Sequence, residues 1–148
     1  MGKLIAIGSD HGGYELKEAI KKYLDAQNIP YKDYGAFTPE AVDYPDIALP
    51  VAEAVTQKKA EKGILCCGTG IGISIAANKV KGIRAACCSD CFSVKMTRKH
   101  NDANILCMGG RVVGQGLALM MVELFLNTEF EGGRHQMRIN KIAAIEKR

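Results

Sequence analysis

Short apolar segments alternate with segments of helical periodicity along the whole chain, and this alternation restricts the fold more than any other feature. The strand-like segments are 4–10, 31–35, 63–68, 82–88 and 103–110. Helices are predicted at 14–28, 44–60, about 73–79, 91–101, 114–130 and 133–148. Pro50 lies inside the second helix, where it must either kink the helix or mark a later start. The order predicts an open, doubly wound α/β domain with a five-stranded parallel sheet, helices on both faces and an extended C-terminal helix.

Length and composition fit one globular domain. The chain has 148 residues, of which 47% are hydrophobic and 24% charged, and it contains no linker or repeat. We therefore expect a single domain over residues 1–148. The apolar runs are too short to cross a bilayer. Asp10 and His11 follow the first run at once, where a signal peptide would stay apolar. A cytoplasmic protein without membrane contact is expected.

The charge pattern favours a small anion over a nucleic acid as the partner. The formal net charge is only +4, and Lys and Arg are interspersed with acidic residues until the C-terminus. Trp is absent, and no basic stripe with interleaved aromatic residues is present. A phosphate monoester accounts for a small arginine cluster at least as well, so no nucleic-acid partner is expected.

The six cysteines do not indicate a disulfide framework in a chain of this kind. Five of them lie in apolar strand-like runs and are expected to be buried, reduced and to behave as small hydrophobic residues: Cys66, Cys67, Cys87, Cys88 and Cys107. Cys88 and Cys91 form one C-x-x-C, but no second pair stands at zinc-ribbon spacing. Neither a metal site nor a thioredoxin-like redox role is expected.

The helix predicted at 114–126 is apolar on nearly all sides. Such a helix is too hydrophobic for the surface of a small monomer. We therefore predict that it lies in a dimer interface, with Leu117, Met120, Met121 and Leu124 buried between two chains.

Three predicted strands end in glycine-rich segments, at 9–13, 67–72 and 109–111. Ligands of open α/β sheets bind beyond the carboxyl ends of the strands, so these segments are expected to converge on one site. The middle segment has the pattern G-x-G-x-G, whose backbone N–H groups can hold an anion at the start of a helix. It is neither the dinucleotide fingerprint nor a P-loop. The alternative is a tight strand-to-helix turn.

Cys67 stands at the mouth of this loop. Adjacent residues of a strand face opposite sides, so only one of Cys66 and Cys67 can face the loop, and the last residue before the turn is the better candidate. A thiol beside a helix N-terminus is held more readily as the thiolate. The alternative is a second buried cysteine.

Other polar groups have a chemical and a structural interpretation. Asp10 and His11 can do acid–base work, or Asp10 can cap a turn. His100 and Asn101 stand at a helix end, where Asn101 can be a C-cap. Arg134 and Arg138 share one helical face and match phosphate geometry, or they form a solvated basic face. Together, the set suits proton abstraction next to a carbonyl in a sugar phosphate, with the loop binding the enediolate.

Motifs along nearly the full chain, from about residue 3, resemble the ribose/galactose isomerase family, and most closely its type B ribose-5-phosphate isomerases. The matching segments are "SDHGGYELK", "DYPD", "GILCCGTGIGISIAANKVKGIRAA", "HNDANIL", "GGRVVG" and "FEGGRHQMRI". The resemblance implies a Rossmann-like fold and a homodimer whose sites are shared between subunits, with a tetramer as a further assembly. It also implies that no metal or cofactor is needed.

The activity that the resemblance implies is interconversion of D-ribose 5-phosphate and D-ribulose 5-phosphate through a cis-enediolate, in the non-oxidative pentose phosphate pathway. Galactose-6-phosphate or allose-6-phosphate isomerisation is the alternative within the family. A non-catalytic sugar-phosphate sensor is the alternative from another class, but such a sensor would not need Cys67 and His100.

The resemblance also assigns residues. Cys67 matches the proton-transferring base, Asp10 the group that moves protons between substrate oxygens, and His100 the ring-opening group. Some relatives have a glutamate base at a position that carries Ile73 or Ser74 here, so the cysteine version applies. The enediolate loop is matched by Gly68, Thr69, Gly70, Ile71 and Gly72. Contacts to phosphate and sugar are matched by His11, Tyr44, Asn101, Arg111, Arg134 and Arg138. His135 lies in the same motif without an assigned role.

Overall fold

The computed structural model of the chain describes residues 4–148 and contains five parallel strands and six α-helices within that range. The strands are β1 (Ile5–Ser9), β2 (Tyr31–Asp33), β3 (Lys62–Cys67), β4 (Ala85–Cys87) and β5 (Ile105–Gly109). The helices are α1 (Tyr14–Ala26), α2 (Tyr44–Thr56), α3 (Ile71–Ala77), α4 (Cys91–Asn101), α5 (Gln115–Asn127) and α6 (Arg134–Glu146). The strand order is β2-β1-β3-β5-β4. The predicted α/β class with a five-stranded parallel sheet is confirmed.

Alternation along the strands supplies two hydrophobic cores, one on each face of the sheet. Ile7 and Cys66 belong to the core that α1, α4 and α5 cover. Ala6 and Cys67 belong to the core under α2 and α3. Because both faces are covered, the central strands β1, β3 and β5 are buried along nearly their whole length and contain runs of apolar residues. No helix within residues 4–148 combines the length and the hydrophobicity that crossing a membrane requires.

Helix boundaries follow the local sequence signals with small differences. Helix α2 runs through Pro50 to Thr56, so Pro50 does not mark a later start, and Pro45 lies in its first turn. Helix α3 begins at Ile71, two residues before the predicted start, because Gly70 adopts a left-handed conformation at its N-cap. Strand β4 is shorter than predicted and spans three residues.

Helix α5 buries only one of its sides in its own chain. Met121 lies in the core of the chain with no exposed surface, so its prediction as an interface residue is wrong. Leu124 is partly buried against the same core. Leu117 and Met120 remain on the outer side, with 38% and 60% of their surface exposed. The apolar sequence therefore reflects a wide contact with α1 and α4 in addition to an exposed stripe.

The cysteines are all free thiols. Burial raises the pKa of Cys66 to about 12 and that of Cys88 to about 11. Cys87 is exposed, contrary to the prediction, because the short strand β4 lies at the edge of the sheet. Its Sγ lies 3.8 Å from the carbonyl oxygen of Thr69.

A buried ammonium group fixes the segment that follows β2. Lys17 of α1 has no exposed surface, forms an ion pair with Asp33 at 3.0 Å and donates a hydrogen bond to the carbonyl oxygen of Ala36. Burial alone would raise the pKa of Asp33, but hydrogen bonds from Lys21, the Gly35 amide and Lys17 lower it overall. The pair holds the start of the loop that leads to Tyr44, the first residue of α2.

Candidate active site

Asp10 is the first polar group at the carboxyl edge of the sheet. Its Oδ1 accepts hydrogen bonds from the Gly12 and Gly13 amides, at 2.9 Å and 3.2 Å. The side chain thereby caps the short helical turn His11–Gly13, as the structural interpretation of this segment predicted. The carboxylate is nearly buried, with 6% of the residue exposed, and it is fixed by the turn beside β3.

Cys67 ends β3 and faces the glycine loop. The Gly70 amide donates a hydrogen bond to Cys67 Sγ at 3.1 Å, so the positive end of an amide dipole points at the sulfur. Cys66 faces the opposite side of the sheet, within the other core. The predicted division of the two thiols between the two faces is therefore observed, and Cys67 is the one at the loop.

The three glycine-marked segments come into close contact. The Gly110 amide donates to the Cys67 carbonyl at 2.8 Å, and the Arg111 amide donates to the Gly68 carbonyl at 3.0 Å. A Cβ atom on Gly12 would lie 2.8 Å from the Gly68 nitrogen, and one on Gly110 would lie 2.5 Å from the Gly12 oxygen. Only glycine permits this approach of backbone to backbone. The Arg111 guanidinium lies over Gly68, where it faces the loop.

The remaining members of this group surround the loop. Thr69 Oγ1 accepts a hydrogen bond from the Ile71 amide at 3.2 Å. The ring of Tyr44 packs directly on Gly72. His11 Nδ1 accepts a hydrogen bond from the Val42 amide at 3.3 Å, which ties the imidazole to the loop after β2. His11 and Arg111 also line a cavity of about 240 Å³. We call the set Asp10, His11, Tyr44, 67–72 and Arg111 the first group.

The other predicted site residues lie at the opposite edge of the sheet. Asn101, the last residue of α4, accepts a hydrogen bond from Arg84 Nε on its carbonyl oxygen at 2.8 Å. Arg84 directly precedes β4, so Asn101 lies at the amino edge. Cys67 is paired with Gly109, the last residue of β5, at the carboxyl edge. Strands rise about 3.3 Å per residue, so the five residues of β5 separate the two edges by about 13 Å.

Helix α6 adds to the residues at the amino edge. Its His135 stacks on His100 of α4, with ring centroids 4.2 Å apart and planes 14° apart. Arg134 and Arg138 are exposed, one helical turn apart. We call His100, Asn101, Arg134 and Arg138 the second group. One chain does not bring the two groups together, although the sequence motifs assign them to one site.

The sequence analysis missed Glu131, which lies between the two histidines. Its Oε1 is 3.4 Å from His135 Nε2 and 3.9 Å from His100 Nε2. Burial and the neighbouring His100 lower the pKa of His135, and its other charged neighbours have smaller effects. The four-residue spacing of Glu131 and His135 in "FEGGRH" is the sequence signal that could have identified the contact.

Comparisons with known proteins match the chain over nearly its full length. The model of the family described as Ribose/Galactose Isomerase matches residues 5–142. Ribose-5-phosphate isomerase B of Escherichia coli strain K12 is 49% identical over 146 residues, which cover 99% of this chain and 98% of that protein. D-erythrulose-4-phosphate isomerase of Pectobacterium atrosepticum is 43% identical over 143 residues, or 96% and 94% of the two chains. The solved structure of Clostridium thermocellum ribose-5-phosphate isomerase B matches with a TM-score of 0.96 and 55% identity, over 97% of each chain.

The first testable prediction concerns the glycine contacts at the carboxyl edge. Gly70 has a φ of 81°, and a Cβ atom there would lie 2.7 Å from the carbonyl carbon of Met108. Gly70→Ala should therefore lower the free energy of unfolding by at least about 2 kcal/mol, the sum of backbone strain and steric overlap. Urea unfolding followed by circular dichroism measures this change.

Gly116→Ala is the matched control, because Gly116 lies in the first turn of α5, where an added Cβ atom would have no neighbour within 4 Å. Alanine is the better helix former, so this variant should be slightly more stable than the parent chain. Equal effects of the two substitutions would contradict the claim that backbone contact requires Gly70.

Proposed function

The chain belongs to the ribose/galactose isomerase family, and from that premise we propose that it interconverts D-ribose 5-phosphate and D-ribulose 5-phosphate. As a member of this family it is a sugar-phosphate isomerase. The near full-length similarity to proteins named ribose-5-phosphate isomerase B supports this substrate. We place the reaction in the non-oxidative pentose phosphate pathway of the cytoplasm, without a metal or other cofactor.

Cys67 is the proposed base. Its thiolate removes the proton from C2 of the open-chain aldose, the C–H electron pair forms the C1=C2 bond, and the carbonyl oxygen becomes negatively charged. The resulting cis-enediolate takes the proton back at C1 to give the ketose. Cys66 does not suit this role, because its pKa of about 12 keeps the thiol protonated at neutral pH. Cys67 instead lies beside the Gly70 amide at the loop.

The other members of the first group stabilise the charge and move protons. The backbone amides of Gly68 to Gly72 are the proposed donors to the enediolate oxygens, because the first-turn amides of α3 have no partner within the helix. In the chain alone, the Gly70 and Ile71 amides donate to Cys67 Sγ and Thr69 Oγ1. Thr69 lines the same loop. Asp10, held rigidly by its two amide hydrogen bonds, carries a proton from the C2 hydroxyl to the C1 oxygen.

The second group supplies ring opening and phosphate binding in this proposal. His100 opens the furanose form of the sugar, and Asn101 lines the pocket. Arg134 and Arg138 hold the phosphate dianion, with Arg111 and His11 from the first group completing the contacts. Arginine forks match the oxygens of phosphate, and Lys cannot fully replace them.

Because the two groups lie at opposite edges of one sheet, we propose a homodimer in which the second group of each chain completes the first group of its partner. An exposed apolar surface borders the first group on α2 and α3. Leu49, Ile71 and Ile75 are each at least half exposed. Leu49 and Ile75 line a groove together with Tyr44. This surface is the proposed dimer interface, in place of the 114–126 helix that the sequence analysis predicted for that role. Leu117 and Met120 on α5 form a separate apolar surface that is available to a tetramer.

A second candidate function has support from one relative. The Pectobacterium protein named D-erythrulose-4-phosphate isomerase shows that a four-carbon substrate occurs among similar chains. Galactose 6-phosphate and allose 6-phosphate are the hexose alternatives within the family. The sensor alternative is disfavoured because Cys67 and its hydrogen-bonded loop are present.

The second testable prediction concerns Cys67. Cys67→Ala should lower kcat by about 10²–10⁴, the usual contribution of a positioned acid–base group, with little change in KM. Cys66→Ala is the matched control, because it removes a buried thiol from the opposite face and should alter stability more than mechanism. Steady-state kinetics of both variants decides the assignment, which fails if Cys66 is the essential thiol.

The third testable prediction concerns the shared site. Two differently tagged chains are co-expressed, one with Cys67→Ala and the other with Arg134→Ala and Arg138→Ala, and the heterodimer is purified through both tags. Each homodimer should be nearly inactive. The heterodimer should recover about half of the parent activity, because one of its two sites contains only parent residues.

An inactive heterodimer would contradict the shared site, since sites contained within single chains would then both carry a substitution. Light scattering on the same samples measures the molar mass and therefore the oligomeric state. A heterodimer without activity would remove the shared site, and a monomer at micromolar concentration would remove the dimer itself. Either result would leave Cys67 as the base of a differently built site.

The fourth testable prediction concerns substrate choice, measured as kcat/KM for the candidate sugars side by side. A pocket discriminates one methylene-sized group by about 10–200-fold. D-ribose 5-phosphate should have the highest value, with weaker activity on D-allose 6-phosphate, which shares its 2,3-hydroxyl arrangement. D-galactose 6-phosphate should be poorer still. A higher value for D-erythrulose 4-phosphate or a hexose phosphate would overturn the proposed substrate.

A further inference from the structure

We propose that His100, Glu131 and His135 form a binding site for Zn²⁺ at the amino edge of the sheet, and that an ion bound there inhibits the enzyme. Each of these residues offers one ligand atom, and the three atoms lie within 4.8 Å of one another. The inhibition, but not the binding, rests on the proposed role of His100 in ring opening.

The two distances from Glu131 to the histidine nitrogens are close to those of a tetrahedral zinc site. With Zn–N and Zn–O bonds of about 2.0–2.1 Å, two ligand atoms lie about 3.3 Å apart. Glu131 Oε1 and His135 Nε2 are 3.4 Å apart, and Glu131 Oε1 and His100 Nε2 are 3.9 Å apart. The two imidazole rings are stacked with planes 14° apart, so His100 has to rotate out of the stack before both nitrogens can point at one ion. Its side chain has room to do so because 41% of it is exposed.

The donor set selects the class of ion. Two imidazole nitrogens and one carboxylate oxygen are typical ligands of zinc and its transition-metal neighbours, whereas Mg²⁺ and Ca²⁺ prefer oxygen alone. Neutral imidazole is the ligating form, and two imidazolium rings stacked 4.2 Å apart would repel one another. Three protein ligands leave a fourth position for water, as in open zinc sites.

The backbone already holds the three residues in place. The Glu131 amide donates a hydrogen bond to the Lys99 carbonyl at 3.1 Å, which fixes Glu131 beside the end of α4. Lys99 Nζ lies 3.9 Å from Glu131 Oε2, the oxygen that does not face the histidines. One carboxylate oxygen therefore faces the lysine, and the other faces the two imidazole rings. His135 is nearly buried, so its ring provides the fixed side of the site.

Binding would act on His100 and leave Cys67 of the same chain untouched, because the two lie at opposite edges of the sheet. A metal on His100 Nε2 blocks the nitrogen that would exchange a proton with the sugar. The expected consequence is reversible inhibition by zinc in the enzyme, without loss of the fold or of the thiol.

Binding is tested with Co²⁺ as a spectroscopic probe, on full-length protein carrying Cys67→Ala so that this thiol cannot contribute. We expect saturation at one ion per chain, with visible d–d bands and no thiolate-to-cobalt charge-transfer band in the near ultraviolet. Glu131→Gln should weaken binding by more than about tenfold, because even the indirect partners of a metal contribute 10–100-fold. Glu129→Gln, an exposed carboxylate of the same segment, is the matched control and should bind like its parent.

Zn²⁺ inhibition is then measured on proteins that retain Cys67, each relative to its own metal-free rate. Zn²⁺ should inhibit the parent and the Glu129→Gln enzyme, with recovery on adding EDTA, and should inhibit Glu131→Gln at least about tenfold less strongly. The site is overturned if Co²⁺ does not saturate, if the charge-transfer band of a thiolate appears, or if Glu131→Gln binds as its parent does. Because binding is read without turnover, an error in the proposed substrate would leave this result unaffected.

Discussion

The contact of backbone against backbone at the carboxyl edge is the constraint on which the rest of the site depends. A Cβ atom on Gly13 would lie 2.4 Å from the carbonyl carbon of Cys66, and one on Gly109 would lie 2.6 Å from that of Thr69. The turns after β1, β3 and β5 can therefore meet only because glycine stands at their contacts. This packing fixes the positions of Asp10, Cys67 and Arg111, since each lies in or directly beside one of the three turns.

Much of the fold could be predicted because the alternation of strand-like and helical segments had one structural meaning. Apolar runs that end in glycine predict buried strands, and the helical stripes between them require parallel pairing. Pro45 marks the start of α2 by its own geometry, as predicted. The two thiols at 66 and 67 could be assigned to opposite faces from the period of a strand alone.

The predictions that failed depend on which neighbour covers a side chain. Met121 and Met120 are adjacent and chemically identical, yet one is fully buried and the other mostly exposed. The sequence shows an apolar helix but does not show which side meets α1 and α4. Glu131 was missed although it stands four residues before His135, because a single exposed carboxylate adds nothing to the hydrophobic periodicity of the segment. Cys87 was misplaced because the local sequence does not determine the order of the strands in the sheet.

The separation of the two groups, by contrast, follows from topology. A helix that connects two parallel strands must return the chain to the amino edge, so the end of α4 cannot lie beside the end of β3 in the same chain. The family motifs assign Cys67 and His100 to one site, whereas the structure places them at opposite edges of the sheet, which the length of β5 separates by about 13 Å. Both hydrophobic cores consist of residues from a single chain. Each chain thus has its own hydrophobic cores, while the proposed site, which needs both groups, requires a partner whose amino edge faces this carboxyl edge.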